Sequence, residues 1–273
     1  MRHEVGTGRS ANVYCATLDG RDVAVKKFKV DDSLMSDSEK KHLQREIDIM
    51  KDITHPLLVN LVGVVLKSEL SLIMEFCPGG DLFTLLHAND ELCLSWRQQV
   101  KMCCDVAQAM CFLHNSTPQI IHRDLKSLNL LLVEPIESAE CEPRIKVADF
   151  GQSRMMDKAK ILGPEIMTKN VGTQHWMAPE VLRGMHYDEK VDVYSYAMIL
   201  FEIICREVPF EDYSAKEVAI QASQGKRPDL DAVPPDCPEA LLYLMKVCWK
   251  QDPARRPSFE DIITKLCPLK LQL

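Results

Sequence analysis

The order of apolar and polar residues predicts a β-rich beginning and a mainly helical remainder. Apolar residues alternate with polar ones through 12–18 and 22–28, and the Asp-Gly pair between these segments is a strong hairpin signal. Two further strands fit residues 61–66 and 70–76. The Cys-Pro-Gly-Gly run at 77–80 then breaks the pattern and predicts a hinge.

A helical period marks residues 36–53, where Leu43, Ile47 and Met50 recur on one face. In the remainder, Ser95 begins a capping box that predicts a helix running to about residue 114.

The nearly all-apolar segment 189–206 predicts a helix at the centre of a core. Ser258 is placed to cap a final helix that reaches residue 266. The acidic stretch 134–144 is long and carries no recognisable motif, so we interpret it as a solvated insertion.

Composition narrows the class of protein without defining it. The 273 residues are 46% hydrophobic and 27% charged, as in ordinary globular proteins. A net charge of −7 lacks the basic excess of general nucleic-acid binders, so we expect no nucleic-acid partner. The most apolar stretch, 194–204, falls short of the roughly 20 residues that span a bilayer.

The cysteines bear on the cellular compartment. There are 11 of them, scattered and without a CxxC pair, which favours reduced thiols over a disulfide framework. The chain also begins without the apolar stretch of a signal peptide. We therefore expect a cytoplasmic protein.

A glycine-containing loop, Gly6-Thr7-Gly8, precedes the predicted hairpin. Glycines let backbone amides approach phosphate oxygens closely. Dinucleotide binding would need a helix after the loop, and a hairpin follows instead. An ordinary glycine turn is the alternative.

Lys26 ends a Val-Ala-Val-Lys run on the second strand of that hairpin. Alternation places Ala24 and Lys26 on one face. A lysine on an inward face requires an anion, and a phosphate or Glu46 on the following helix would serve. The alternative is a surface lysine.

Three motifs follow in order: His-Arg-Asp-Leu-Lys-Ser-Leu-Asn at 122–129, Asp-Phe-Gly at 149–151 and Ala-Pro-Glu at 178–180. Together with Val-Ala-Val-Lys at 23–26, they closely resemble eukaryotic protein kinases over essentially the whole chain. Each tripeptide alone would carry no weight.

The resemblance implies an α+β bilobal protein kinase fold. We expect a small β-rich N-lobe over 1–76 with the glycine-rich loop and one main helix, a hinge at 77–80, and a mainly helical C-lobe over 81–273. It also implies ATP and Mg²⁺ as cofactors, protein substrates as partners, and additional domains outside this chain.

By the same resemblance, Asp124 accepts the proton of the substrate hydroxyl and Lys126 contacts the γ-phosphate. Asn129 and Asp149 supply the hard oxygen ligands that Mg²⁺ prefers. Lys26 would hold the α- and β-phosphates.

Glu46 would fix Lys26, and Met74 resembles the gatekeeper beside the adenine. Glu75 and Cys77 would offer backbone hydrogen bonds to the purine, while Asp81 would meet the ribose, cap the next helix, or do both. The residues expected around the nucleotide are Val5, Gly6, Thr7, Gly8, Val13, Ala24, Lys26, Met74, Glu75, Cys77, Asp81 and Leu131.

Ala11 stands where the family has a third loop glycine, and its methyl group is expected to restrict positive φ at the loop tip and weaken ATP binding. Other residues are expected to be architectural. Asp192 would hold the backbone of the 122–124 turn, and Glu180 would pair with Arg256. His122 and Phe150 would stack with Met50 and Leu61 between the lobes.

Lys126 and Thr173 resemble serine/threonine kinases, while Trp249 and its neighbours are common to tyrosine kinases and tyrosine-kinase-like kinases. Together they indicate the tyrosine-kinase-like group of Raf, mixed-lineage and Roco relatives, with serine/threonine specificity. The alternatives are dual or tyrosine specificity, and an ATP-binding pseudokinase scaffold. A small-molecule kinase is disfavoured by the peptide-binding character of 178–180.

Arg123 suggests regulation, because a guanidinium can bind a phosphate of the activation segment. The hydroxyl candidates there are Ser153, Thr168 and Thr173. We favour Thr168, modified by an upstream kinase or by the chain itself, because Thr173 has an expected structural task.

Overall fold

The computed structural model describes residues 3–8, 11–29, 37–66, 70–88, 92–156 and 173–272. Over these residues the fold is α+β and bilobal, with one lobe built on an antiparallel sheet and the other mainly helical. The sheet strands are β1 (His3–Thr7), β2 (Ala11–Leu18), β3 (Arg21–Phe28), β4 (Leu61–Val65) and β5 (Ser71–Glu75). They lie in the order β1-β2-β3-β5-β4.

The predicted hairpin is confirmed. Asp19 and Gly20 join β2 to β3 with φ angles of 49° and 78°. Two positive φ angles match the turn to the twist of the strands, which is why Asp-Gly is favoured there. The resulting register pairs Val13 with Lys26 and places that lysine in the middle of the sheet.

The predicted first helix is also confirmed as α1 (Asp37–Asp52). Leu43, Ile47 and Met50 are buried, as their spacing indicates. Glu46 lies among them and is only 3% exposed. A carboxylate buried on an apolar face needs a partner, and this one faces β3.

The helical lobe contains α2 (Leu82–His87), α3 (Trp96–Asn115), α4 (Pro179–Leu182), α5 (Lys190–Cys205), α6 (Ala215–Ser223), α7 (Glu239–Cys248) and α8 (Phe259–Gln272). Two small antiparallel sheets pair β6 (Gln119–Ile121) with β9 (Arg154–Met156), and β7 (Leu130–Leu132) with β8 (Ile145–Val147). The capping box predicted at Ser95 is present at the start of α3.

Helix α5 is the centre of the helical lobe, as its composition predicts. Every residue from 191 to 204 is buried. Helix α8 is capped by Ser258 as predicted but runs past residue 266 to Gln272, with Pro268 inside it. Its packing along α3 explains the extension, because Leu269 also reaches the core.

The Cys-Pro-Gly-Gly run forms a tight turn between the two lobes. The amide of Gly79 donates to the carbonyl of Leu132 at 3.1 Å, and a Cβ at Gly79 would lie 2.5 Å from the carbonyl oxygen of Glu134. Gly80 has a φ of 75°. Both positions therefore need glycine. The lobe boundaries at 76 and 80 stay predictions.

Among the described residues, no helix combines the length and apolarity that crossing a bilayer requires. The eleven cysteines all fall in the described ranges, and each is a free thiol.

Candidate active site

Lys26 lies at the centre of the first half of the site. Its Nζ is 2.7 Å from Oε1 of Glu46 and 2.9 Å from Oδ1 of Asp149. Strand β3, helix α1 and the Asp-Phe-Gly turn each contribute one member. The lysine therefore joins three segments that lie far apart in the sequence.

The charges of this cluster stabilise one another. Attraction to Lys26 lowers the pKa of Asp149 to about 2, against the opposing effect of desolvation. Burial alone would lower the pKa of Lys26, but Asp149 and Glu46 outweigh it and raise that pKa. For Glu46 burial dominates, and its pKa is raised despite the lysine.

The second half of the site is the loop that begins at His122. Nζ of Lys126 is 2.8 Å from Oδ2 of Asp124. The side-chain amide of Asn129 donates to the carbonyl of Asp124 at 2.8 Å and to its Oδ2 at 3.2 Å. Burial raises the pKa of Asp124, while Lys126 acts in the opposite direction.

Asp192, on α5, anchors this loop and is completely buried. Its Oδ2 accepts from the backbone amide of His122 and its Oδ1 from that of Arg123, both at 2.8 Å. Nε2 of His114 lies 2.9 Å from Oδ2. The role predicted for Asp192 is confirmed, and it holds Arg123 at a φ of 69°.

The donor set fits magnesium. Asn129 uses its amide nitrogen on Asp124, which leaves its oxygen for a cation. Lys26 and the amide of Gly151 both contact Oδ1 of Asp149. Oδ2 of Asp149 and Oδ1 of Asn129 are hard oxygen donors of the kind Mg²⁺ selects.

Strand pairing places several of the predicted nucleotide residues next to one another. Gly6 pairs with Val13, Val13 with Lys26, and Ala24 with Met74. The other members of the set are placed on β1 (Val5, Thr7), just after β1 (Gly8), at the end of β5 (Glu75), in the turn that follows (Cys77), before α2 (Asp81) and on β7 (Leu131).

Two of these residues have additional tasks, and a third, Cys77, has a buried thiol. Asp81 caps α2 by accepting from the amide of Thr84 at 2.8 Å, which confirms the capping alternative. The Glu75 carboxylate contacts Nζ of Lys146 at 2.6 and 2.7 Å, a pair the sequence did not reveal. Burial raises the pKa of Cys77 to about 11, so its thiol is unreactive.

The expectation for Ala11 was wrong in its placement. Ala11 is the first residue of β2, pairs with Phe28 and is 4% exposed. It is not among the residues with positive φ. The methyl group is therefore buried in a strand, where alanine is acceptable, and the tight position is Gly8, whose added Cβ would lie 3.1 Å from the carbonyl of Ala11.

Of the hydroxyls in the activation segment, Ser153 is 4% exposed and donates to the carbonyl of His122 at 3.2 Å. That burial disfavours its modification. Thr173 begins a short turn ending at Trp176, and its side chain lies outside the description. Thr168 lies outside the described residues.

The predicted ion pair of Glu180 with Arg256 and the predicted contact of His122 with Phe150 are present. Arg256 makes a two-pronged ion pair with Glu180, at 2.6 and 2.9 Å. The rings of His122 and Phe150 meet edge to face with centroids 5.6 Å apart. Met50 and Leu61 belong to the same core.

Glu202 is among the buried charges that the sequence did not predict. Glu202 on α5 is completely buried, and its carboxylate lies against Ser127 and Trp176. The available signal was an acidic residue inside an otherwise apolar helix.

Comparison with known proteins identifies a family for this sequence. The model of the family "Protein tyrosine and serine/threonine kinase" matches residues 1–266. The chain is 36% identical over 274 residues to "Probable serine/threonine-protein kinase drkC" of Dictyostelium discoideum, covering 97% of this chain and 34% of that protein.

Two more relatives from that organism are also 36% identical. One is "Probable serine/threonine-protein kinase roco7", where the match covers 98% of this chain and 10% of the relative. The other is a "Probable LIM domain-containing serine/threonine-protein kinase", with 96% and 38%. The chain thus spans between 10% and 38% of the length of these relatives. Because the family model accounts for nearly all of its residues, the chain belongs to the protein tyrosine and serine/threonine kinase family.

Proposed function

We propose that this chain transfers the γ-phosphoryl group of ATP to serine and threonine hydroxyls of protein substrates. One observation carries the proposal: the loop that holds Asp124 and Asn129 is hydrogen-bonded to Ala148, the residue before Asp149, whose amide donates to the carbonyl of Asn129 at 2.9 Å. Phosphoryl transfer depends on positioning and charge neutralisation at one place more than on covalent chemistry. The two lysine–aspartate clusters supply both.

At the acceptor end, Asp124 orients the substrate hydroxyl and takes its proton. Its raised pKa makes it a better proton acceptor than an ordinary aspartate. Lys126, 2.8 Å away, is placed to neutralise charge on the group being transferred.

At the nucleotide end, Lys26 meets the α- and β-phosphates while Glu46 holds it in place. Asn129 and Asp149 would hold magnesium, which when bound supplies neutralisation of phosphate charge. Because its pKa is about 2, Asp149 stays ionised for that task at every physiological pH.

Serine and threonine specificity is supported by Lys126 and by the names of the relatives. The roco7 relative agrees with the tyrosine-kinase-like group. Dual specificity stays the second candidate. A pseudokinase scaffold is disfavoured because Lys26, Glu46, Asp124 and Asp149 are all present and in contact with lysine or carboxylate partners.

A peptide array with labelled ATP tests the proposal. Matched peptides differing only in serine, threonine or tyrosine should be labelled in the first two cases. Asp124→Asn, which removes the base, should abolish labelling. Labelling of the tyrosine peptides alone would show that the chain is a tyrosine kinase. If no peptide is labelled at any concentration, the assignment as a protein kinase is wrong.

Regulation through Thr168 is part of the proposal. Nε of Arg123 is buried and has no hydrogen-bond partner among the described residues, and its guanidinium lies 5.7 Å from the ring of Tyr187. A phosphate on Thr168, added by an upstream kinase or by the chain itself, would satisfy such a group. Mass spectrometry measures modification of Thr168, and a kinase assay on the same sample measures activity. Full activity in a sample whose Thr168 is unmodified would refute this role.

We also propose a cytoplasmic location and further domains beyond this chain. The first rests on eleven free cysteines, which suit a reducing compartment. The second rests on the small share of each relative that the chain covers.

A further inference from the structure

The loop between β1 and β2 is closed by a contact of Gly8. The amide of Gly8 donates to the carbonyl of Ala11, the first residue of β2, at 2.8 Å. A Cβ at position 8 would lie 3.1 Å from that same oxygen, so a larger residue would force the main chain to move. The main chain at position 8 therefore lies close against the beginning of β2.

A lysine from another part of the sheet contacts the carbonyl of Gly8. Nζ of Lys29 donates to that oxygen at 2.7 Å. Lys29 directly follows β3, whose last residue, Phe28, pairs with Ala11. The amide and the carbonyl of Gly8 are thus both engaged, the first by β2 and the second by the side chain that follows β3.

This contact links the loop to the strand that carries Lys26. Strand pairing cannot make such a link, because β2 lies between β1 and β3 in the sheet. The side chain of Lys29 makes it instead, three residues after Lys26. The loop and Lys26 are the two parts of this lobe expected to contact the phosphates, and Lys29 therefore bears on the spacing between them.

The contact lies at the surface, where it can break and form again. Both Lys29 and Gly8 are exposed. A hydrogen bond in that position competes with water, so its net contribution to folding is small. It is nevertheless sufficient to change several-fold the time that a loop stays closed, and loops that open to release product limit turnover in many enzymes.

We propose that Lys29 is a positioning residue that holds the glycine-containing loop closed over the bound nucleotide. This deepens the proposed kinase function and rests on it. While Lys29 is hydrogen-bonded to Gly8, the loop stays close to Lys26 and the nucleotide is retained. When that hydrogen bond breaks, the loop opens and ADP leaves. Lys29 acts through the main chain of the loop and takes no part in proton transfer.

Stopped-flow release of a fluorescent ADP analogue in the presence of Mg²⁺ tests this role. Lys29→Met keeps an unbranched side chain but removes the donor, so release should become about threefold faster and KM for ATP should rise by a similar factor. KM for peptide should not change. Lys29→Arg keeps a charged donor and should restore the wild-type rate. Lys27→Met removes the same charge from β3 and should release ADP at the wild-type rate.

A double variant shows whether Lys29 acts through Gly8. Gly8→Ala displaces the main chain at this position, because its Cβ would crowd the carbonyl of Ala11. If the hydrogen bond to Gly8 is the cause, Lys29→Met should accelerate ADP release less in the Gly8→Ala chain than in the wild-type chain.

Three results would overturn the role of Lys29. Lys29→Met could release ADP at the wild-type rate, Lys27→Met could accelerate release equally, or the effect of Lys29→Met could be the same with and without Gly8→Ala. A wild-type chain that binds neither ATP nor the ADP analogue would instead overturn the kinase function itself, and the role of Lys29 with it.

Discussion

The two ends of the active site contain the same kind of ion pair and yet treat its carboxylate in opposite ways. Asp124 lies 2.8 Å from Lys126, and Asp149 lies 2.9 Å from Lys26. The pKa of Asp124 is nonetheless raised, mainly by burial, while attraction to Lys26 lowers that of Asp149 to about 2.

The neighbouring charges explain the difference. For Asp124, burial is the largest influence on the pKa and the negative charge of Asp149 adds to it, so together they outweigh Lys126. For Asp149, attraction to Lys26 is the largest influence on the pKa and outweighs burial. The distance of an ion pair does not by itself determine the pKa of its carboxylate, and here the surroundings distinguish Asp124, the proposed proton acceptor, from Asp149, which stays ionised.

The largest loss of activity is expected on replacing Asp149, the carboxylate that stays ionised. Asp149→Asn should lower phosphoryl transfer by about 10³-fold, because it removes the charge that would hold magnesium. Circular dichroism should show a folded chain. The exposed Asp48 on α1 is the control, and Asp48→Asn should retain activity. Retention of wild-type turnover by Asp149→Asn would remove Asp149 from the site.

Lys26→Met should reduce transfer by about 10²-fold and also lower stability. Glu46 is 3% exposed and would lose its partner, at a cost of about 1–3 kcal/mol. Steady-state kinetics and denaturant unfolding measure the two effects. Lys27→Met, the next residue along β3, is the control and should leave kcat unchanged. If kcat falls equally in Lys26→Met and Lys27→Met, Lys26 has no special role in the site.

The pH dependence of activity should follow Asp124 and not Asp149. A base works only when ionised, so activity should fall as the pH drops through the raised pKa of Asp124. Asp149 stays ionised over that range. Lys126→Ala removes an attraction that lowers the pKa of Asp124, so the acid limb of kcat/KM should move to higher pH. An acid limb that moves to lower pH would contradict the assignment of Asp124 as the titrating base.

The smallest effect is expected at Gly151. A Cβ there would lie 3.3 Å from Oδ1 of Asp149 and 3.3 Å from Oε2 of Glu46. Both atoms end side chains and can move slightly, so Gly151→Ala should raise KM for ATP only about threefold, since one or two hydrogen bonds lengthen. Gly63→Ala is the control, because its Cβ would find only Ile73 at 3.9 Å. Peptide KM should not change in either variant.

Local signals predicted much of this structure. The Asp-Gly turn, the box at Ser95 and the apolar run of α5 each depend on neighbouring residues, and all are found. The resemblance to kinases, carried by the order of the motifs, predicted that Lys26 and Asp149 belong to one site although they lie 123 positions apart. The period of apolar residues contains no information about such distant contacts.

What escaped prediction depends on contacts between distant residues that no motif marks. Glu202 and Ser127 are 75 positions apart, and Glu75 and Lys146 are 71 apart. Glu202 was marked as unusual by its apolar helix, but nothing in the sequence indicated its partner, and Ser127, Glu75 and Lys146 carried no signal of these contacts. Ala11 was misplaced for a related reason, since loop length alone does not show where a strand begins.

The backbone at Asp149 has a φ of 65°, in the left-handed region. Among residues with a side chain, aspartate and asparagine enter that region at least cost. Position 149 thus has two demands, one for a negative charge and one for a particular chain direction. Asparagine accepts the left-handed backbone but lacks the negative charge, so Asp149→Asn measures the effect of the charge alone. Alanine or valine would remove the charge and also disfavour this backbone conformation, so the two effects could not be separated.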